Sequence, residues 1–274
     1  MPKSNAAETQ TFNTVRVKSL AGLMRAVQNY RQEMYVTIFR GQQQDWALVP
    51  KVGRVLIATD KEVRARMMSR GARWPLGESS FGRAWAERRM FEEFSRMAPA
   101  YASALPTDEW ELLAIAQHHS LPTRLLDWSY NAYVAAWFAV SLPPASRHTH
   151  GVVWMYVPDE GDFVTLAERK NSPIQFNRKD KARPIVFEPR YVTPRIRAQS
   201  GLFTVHQMTG RDQRFLPAEQ SGPHRTCMTK IVVPASAFLT MRNELDAVGV
   251  NAGSLFPDLD GLSRSLEHSF VEWP

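Results

Sequence analysis

A single cysteine, Cys227, is all that 274 residues provide. That count leaves no room for an internal disulfide framework or a cysteine-rich zinc site, and it makes a reducing, cytoplasmic compartment the expected home. No apolar run approaches the length of a membrane span. The opening stretch, Met1 to Thr11, is polar without the apolar centre of a secretory signal. Equally missing are a G-x-G-x-x-G after a strand, a Walker loop, an H-E-x-x-H helix and a nucleophile elbow, so none of those site classes has a signature here. There is no internal repeat.

What is present is a chain with 44% hydrophobic residues, enough for a large core. The expected organisation is an N-terminal helical segment over 1–34 followed by one compact unit over 35–274. Lys plus Arg number 34 against 27 Asp plus Glu, for a net charge of +7 and a pI near 9.7, which points to a polyanionic partner such as nucleic acid. An ordinary basic protein has the same balance.

Patterning along the chain mixes helices and strands. Ser19 is placed to cap a helix to about Tyr30, with Leu20, Leu23, Met24 and Val27 on one face. Tyr35-Val36-Thr37-Ile38-Phe39 is aromatic and β-branched and reads as a strand ending at Arg40. Residues 51 to 78 read as an irregular basic excursion. Ser80 is placed to open a long helix carrying Phe81, Trp85, Met90, Phe91 and Phe94. Asp108 with Glu111 resembles a capping box ahead of Trp110, Leu113 and Gln117. Pro122 closes that helix, Thr123 to Trp128 is extended, and Asn131 caps a helix whose Ala132, Ala135, Ala136 and Ala139 permit close packing.

The crossover between those last two helices concentrates chemistry: His118, His119, Thr123, Arg124, Asp127, Trp128 and Ser129. Loops of this kind carry function when a rigid scaffold holds them. Each residue also has a structural use. The histidines suit a helix C-terminus, Arg124 and Asp127 can pair with each other, and the tryptophans can fill a core.

Four separated blocks carry a resemblance: "FRGQ" at 39–42 with Trp46, Leu48 and Pro50 after it, "QHHSLPTRLLDWSYNAYVAAWFA" at 117–139, "RIRAQSGLF" at 195–203 and "LFPDLDGL" at 255–262. Together they resemble an FRG domain, a family of bacterial and phage-associated proteins often found near defence or toxin–antitoxin loci. The order of the blocks is in turn similar to ADP-ribosyltransferases of the Arg–Ser–Glu type. That likeness implies an α+β fold with an ADP-ribosyltransferase-like mixed sheet core and surrounding helices. It also implies NAD as substrate without a metal, nucleic acid (above all RNA) as acceptor, an antitoxin protein as partner, and a toxic or antiphage role. By position Arg40 is the first-strand arginine and Ser129 or Thr123 the second-motif residue. The third block offers Gln199 where the pattern has glutamate; the carboxylates nearest in sequence are Glu188 and Glu219. The expected catalytic set is Arg40, Asp127, Ser129 and Gln199, and the expected NAD contacts are Arg40, Gly41, Gln42, His119, Thr123, Arg124 and Trp128.

The residue types suit that chemistry on their own terms. Breaking the nicotinamide–ribose bond develops positive charge on the sugar, so orientation and polar contacts matter more than a strong base. An arginine fork holds two phosphate oxygens at once, glycine at position 41 admits a close backbone approach, and Trp46 or Trp128 can stack on a ring of NAD. Two other readings stay open: a ribonuclease built on His118, His119 and Asp127, and a non-catalytic nucleic-acid-binding module. For the acceptor, the arginines at 54, 64, 66, 70, 73 and 83 suggest a groove for a single-stranded polyanion. Asp258 and Asp260 sit in turn-forming steps and read as a structural turn.

Overall fold

The computed structural model describes residues 12–32, 35–55, 69, 82–102, 104–178, 184–190, 193–210, 213–221 and 227–271. In chain order its elements are β1 (Asn13–Arg16), α1 (Leu20–Tyr30), β2 (Ile38–Gln42), α2 (Lys51–Arg54), α3 (Arg83–Met97), α4 (Glu109–His118) and β3 (Leu125–Ser129). They continue as α5 (Ala132–Val140), β4 (His150–Tyr156), β5 (Ile185–Phe187), α6 (Pro194–Ala198), β6 (Gly201–Val205), β7 (Met208–Thr209) and β8 (Arg214–Phe215). The last are β9 (Met228–Pro234), α7 (Phe238–Ala247), α8 (Ala252–Leu255) and α9 (Leu259–Phe270).

A seven-stranded sheet in the order β1-β9-β4-β2-β3-β6-β5 organises the molecule. The β1–β9 pair is parallel and the other ladders are antiparallel, so the fold is α+β with a mixed sheet. Alternation along the strands sorts the core. Ile38, Leu126, Trp128, Val152, Trp154, Tyr156 and Leu202 gather in one cluster shared across the sheet. Their strand neighbours divide into two others. Phe39, Val153, Met155, Ile231 and Val233 pack with α1, α5 and α7, whereas Leu125, Ile185, Phe187, Phe203 and Val205 pack with Phe91 of α3 and Trp110 of α4. The division falls between β2 and β3.

Local chemistry explains the pieces. Ser19 caps α1 by accepting from the Gly22 amide at 3.2 Å, and Leu20, Leu23, Ala26 and Val27 form its buried face. Asn131 caps α5 through the Tyr133 amide at 2.9 Å. Helix α5 is apolar all round and is accordingly buried on nearly every side. It lies directly on the sheet because two strand residues are glycine: a Cβ at Gly41 would stand 1.8 Å from the Ala135 carbonyl oxygen, and one at Gly151 2.5 Å from that of Ala139.

Several expectations need correction. The strand begins at Ile38 and runs through Arg40 and Gly41 to Gln42, leaving Tyr35 and Val36 exposed, because the β2–β4 ladder holds five registered pairs across those residues. The basic excursion opens with a helical turn, α2. The long helix starts at Arg83, with Gly82 at its cap; Ser80 and Phe81 lie outside the described residues. Asp108 caps α4 through the Trp110 amide, but Glu111 is no reciprocal partner: buried, it accepts from the Arg190 amide and from Arg169. The boundary expected at 34/35 is no break in the fold, since β1 joins the main sheet and α1 belongs to the core under α5 and α7.

Candidate functional site

Strand β2 shares a single registered pair with β3, Phe39 with Ser129, against five with β4. Beyond Phe39 the two strands part, and a cavity of about 310 Å³ lies at the opening. β2 and β3 bring Arg40, Asp127 and Ser129 to it; α2 brings Lys51 and Arg54; α4 brings Gln117 and His118; and the α6–β6 corner brings Arg195 and Gln199.

Arg40 bridges the gap. Its Nη1 donates to the Asp127 carbonyl at 2.6 Å and stands 3.6 Å from the Asp127 carboxylate, while its Nε is buried without a hydrogen-bond partner. Burial pulls the guanidinium pKa down, Asp127 opposes that shift and Arg54 adds to it. The Asp127 carboxylate is 60% exposed and is steadied by Gln117 Nε2 at 3.1 Å. Among the described residues it is the single carboxylate on a wall that carries Arg40, Lys51, Arg54 and Arg195. Such a surplus of cations suits a ligand with more than one negative charge.

The supporting contacts are short-range. Ser129 Oγ donates to the Gln199 carbonyl at 2.7 Å and accepts from the Asn131 amide at 2.9 Å, tying the end of β3 to the start of β6. Gln199 Nε2 donates to the Leu255 carbonyl at 3.1 Å. Lys51 Nζ donates to the Ser120 carbonyl at 2.7 Å, and Ser120 holds a left-handed backbone at φ 67°. Ser200, between Gln199 and Gly201, does the same at φ 45°. Non-glycine residues held in this region mark positions fixed by their surroundings, often at functional sites. Burial pulls the His118 pKa below its ordinary value, with Arg195 and His119 adding to the shift and Asp127 and Asp258 opposing it. Beneath the site, Trp128 Nε1 donates to Thr204 Oγ1 at 2.8 Å, which lies 2.9 Å from His206 Nε2. Burial, aided by the Arg40 charge, pushes the His206 pKa down to about 3.

Arg40, Asp127, Ser129 and Gln199 thus border one cavity, as does Gly41. The remaining expected contacts have other work. Gly41 answers first to the close passage of α5. Gln42 is buried and donates to the Trp46 carbonyl at 3.0 Å. Thr123, also buried, donates to Gln117 Oε1 and accepts from the Leu125 amide. Arg124 does not pair with Asp127. It is buried against Glu87, which accepts from its amide at 3.0 Å, its Nε at 2.9 Å and its Nη2 at 2.7 Å. Trp128 touches the cavity wall, but its indole is 3% exposed within the core. The His119 ring stacks edge-on against His118, 4.9 Å between centroids, and does not line the cavity. Trp46 lines a separate cleft. Glu188 accepts from the Tyr130 hydroxyl and Glu219 from the Leu48 amide, both away from the cavity. Asp258 caps α9 through the Gly261 amide, the structural turn its sequence suggested.

Sequence reasoning passed over Lys51, Gln117 and Arg195 as site residues and gave Arg54 to the acceptor groove alone. Arg195 stood inside a motif block, and Lys51 and Arg54 stood just after Pro50 at helical spacing. Of the expected groove arginines, those at 64, 66, 70 and 73 lie outside the described residues. Among the described residues no three His, Cys, Asp or Glu side chains are grouped to hold a metal, and no helix is long and apolar enough to cross a membrane.

Residues 36–148 match the family model of the FRG domain. The match takes in β2, the basic α2, α4, β3 and α5, and so both strands that flank the opening; the 195–203 and 255–262 blocks lie beyond it. No curated protein and no solved structure matches the chain.

Proposed function

We propose that the protein is an ADP-ribosyltransferase that binds NAD in the cavity between β2 and β3 and acts as a bacterial toxin or antiphage effector. The observation carrying this reading is the Arg40–Asp127 arrangement: a half-buried arginine whose buried Nε donor is unused, beside an exposed carboxylate and ringed by three further cations. The adjacency of β2, β3 and β6 supports it, because it brings the Arg40, Ser129 and Gln199 blocks to one place.

In this reading Arg40, Lys51, Arg54 and Arg195 take the diphosphate, with Arg40 supplying the planar fork. Asp127 accepts from a hydroxyl of the nicotinamide ribose and faces the positive charge that develops on that sugar. It fills the place left by the absent glutamate. Ser129 and Gln199 hold the β3–β6 corner in position. The C–N bond to nicotinamide breaks with its electron pair leaving on nicotinamide, the acceptor nucleophile bonds the ribose carbon, and the acceptor's proton passes to water or to Asp127. His118 and Asp127 together also suit a nuclease acid–base pair, which makes ribonuclease the second reading.

Incubation with NAD labelled in its adenine half, with and without RNA, DNA and protein, separates the two. The expected result is nicotinamide release and transfer of label, reduced about 10²-fold or more in Asp127→Asn, the order seen on removal of one transition-state contact. RNA cleavage without NAD, and no nicotinamide release under any condition, overturns the transferase in favour of the nuclease.

A further inference from the structure

Two of the four motif blocks meet beside the cavity. Gln199 Nε2 donates to the Leu255 carbonyl at 3.1 Å, and in the same α6–β6 corner the guanidinium carbon of Arg195 lies 4.4 Å from the centre of the Phe256 ring. Both contacts join the 195–203 block to the 255–262 block, which otherwise supplies the cap of α9. Gly261 serves the same junction. A Cβ there would stand 1.8 Å from the Phe256 carbonyl oxygen, so the glycine lets α9 close on the residue that carries the ring.

The ring is fixed, whereas the arginine is held by little else. Phe256 is buried and packs on α5, with its ring centre 5.6 Å from that of Trp137 and 6.1 Å from that of Phe138. Phe138 in turn lines the cavity. Arg195 lines it too, and among the described residues no acceptor takes a hydrogen bond from its guanidinium. Asp127 and Asp258 act on it through their charge alone.

A guanidinium over an aromatic face keeps its charge and its N–H edges, because the ring attracts the cation without taking up its donors. The same ring also carries the exposed Arg264 at 5.3 Å, whose charge works against that of Arg195. An anion in the cavity relieves that repulsion. It also meets donors that are already oriented, so less ordering is left to pay on binding.

We infer that Phe256 is a positioning residue: its ring holds Arg195 at the cavity wall so that the guanidinium meets a phosphate of the ligand. The fourth motif block then belongs to the site through Arg195, although Phe256 itself does not line the cavity. That the phosphate is one of NAD's rests on the transferase reading, whereas the positioning does not. Leucine at 256 keeps an apolar side chain without a π face, and tyrosine keeps the face.

The test is calorimetric titration of the full chain with ADP-ribose and with inorganic pyrophosphate. Arg195→Gln should raise both Kd values about tenfold, as expected for a charged hydrogen bond, and Phe256→Leu about fivefold, the size of one cation–π contact. Phe256→Tyr should stay close to the parent. The deciding measurement is the double variant: in the Arg195→Gln background, Phe256→Leu should change either Kd by less than about twofold, since the ring then has no arginine to place. A brace that only supports the corner predicts the full loss again. Should Phe256→Leu fail to fold, Arg195→Lys decides, because an ammonium carries the charge without a planar face to stack; it should bind as weakly as Arg195→Gln. Additive losses, parent affinity in Phe256→Leu, full affinity in Arg195→Lys, or a parent that binds neither ligand overturns the inference. Coupled losses in a protein that releases no nicotinamide from NAD would uphold the positioning and sink the transferase reading alone, and nicotinamide release with additive losses would do the reverse.

Discussion

Arg40 reaches across the one place where the central sheet comes apart and donates to the Asp127 carbonyl at 2.6 Å, with the Asp127 carboxylate 3.6 Å away. The contact spans the gap between β2 and β3, so it joins the two halves of the sheet and aims the guanidinium into the cavity. A cation so placed is partly desolvated, which strengthens its hold on an anion relative to an exposed arginine.

If that arginine is a phosphate fork, Arg40→Ala should weaken NAD binding by at least tenfold, in line with about 1.5–3 kcal/mol for hydrogen bonds to charged groups. Lysine should not restore it, because one ammonium cannot present two parallel donors. Calorimetric titration of NAD into the folded variants checks both statements, and unchanged affinity in Arg40→Ala would sink the fork.

Arg124 should behave in the opposite way. Its pair with Glu87 is 6% and 1% exposed at the two side chains, and removing one partner strands a buried charge. Arg124→Ala should cost about 3–5 kcal/mol of stability while activity per folded molecule stays near that of the parent. Denaturant unfolding alongside specific activity distinguishes this from a role in turnover.

Gly41→Ala should destabilise strongly, since the added methyl meets the Ala135 carbonyl at 1.8 Å and backbone cannot swing aside as a side chain can. A cost of about 3 kcal/mol, at the upper end of ordinary overpacking, is expected. Gly161→Ala, with nothing within 4 Å, serves as the neutral comparison in the same thermal melts.

His206 ties stability to pH. Its folded pKa is about 3, against an ordinary value of 6.5, so the unfolded chain binds a proton that the folded protein refuses. Stability from this group is complete above pH 6.5 and is lost progressively as pH falls toward 3, with a slope of about 1.4 kcal/mol per pH unit. His118 and His268 are shifted in the same direction and share part of the window. His206→Gln should therefore flatten the decline below pH 6.5 by about one proton, read from denaturant midpoints across pH; an unaltered slope would mean that His206 is protonated in the folded state.

Much of the scaffold was legible locally. Ser19, Asp108 and Asn131 were readable as caps because their side chains act within two or three residues of their own position. The alanines of α5 announced a close approach. The strand ending at Arg40 was misplaced because Tyr35 and Val36 have strand-forming side chains but no neighbour to pair with, and propensity cannot see a missing neighbour. Thr123 and Arg124 were misassigned for a related reason: their partners, Gln117 in the preceding helix and Glu87 in α3, meet them only when the helices pack.

By itself, then, the sequence determined the α+β class and the position of the main helices, since those rest on periodicity and short-range capping, whereas Arg40, Asp127, Ser129 and Gln199 were singled out through the family resemblance of their blocks. Only tertiary structure decided that β2 and β3 separate after one registered pair, that Lys51, Arg54 and Arg195 converge on the opening, and that the Gly41 position serves α5 first. The physical reason is range. Hydrogen bonds that cap a helix span one turn, whereas an electrostatic cavity is the sum of charges from residues 40 to 195, brought together by strand pairing that no local pattern encodes.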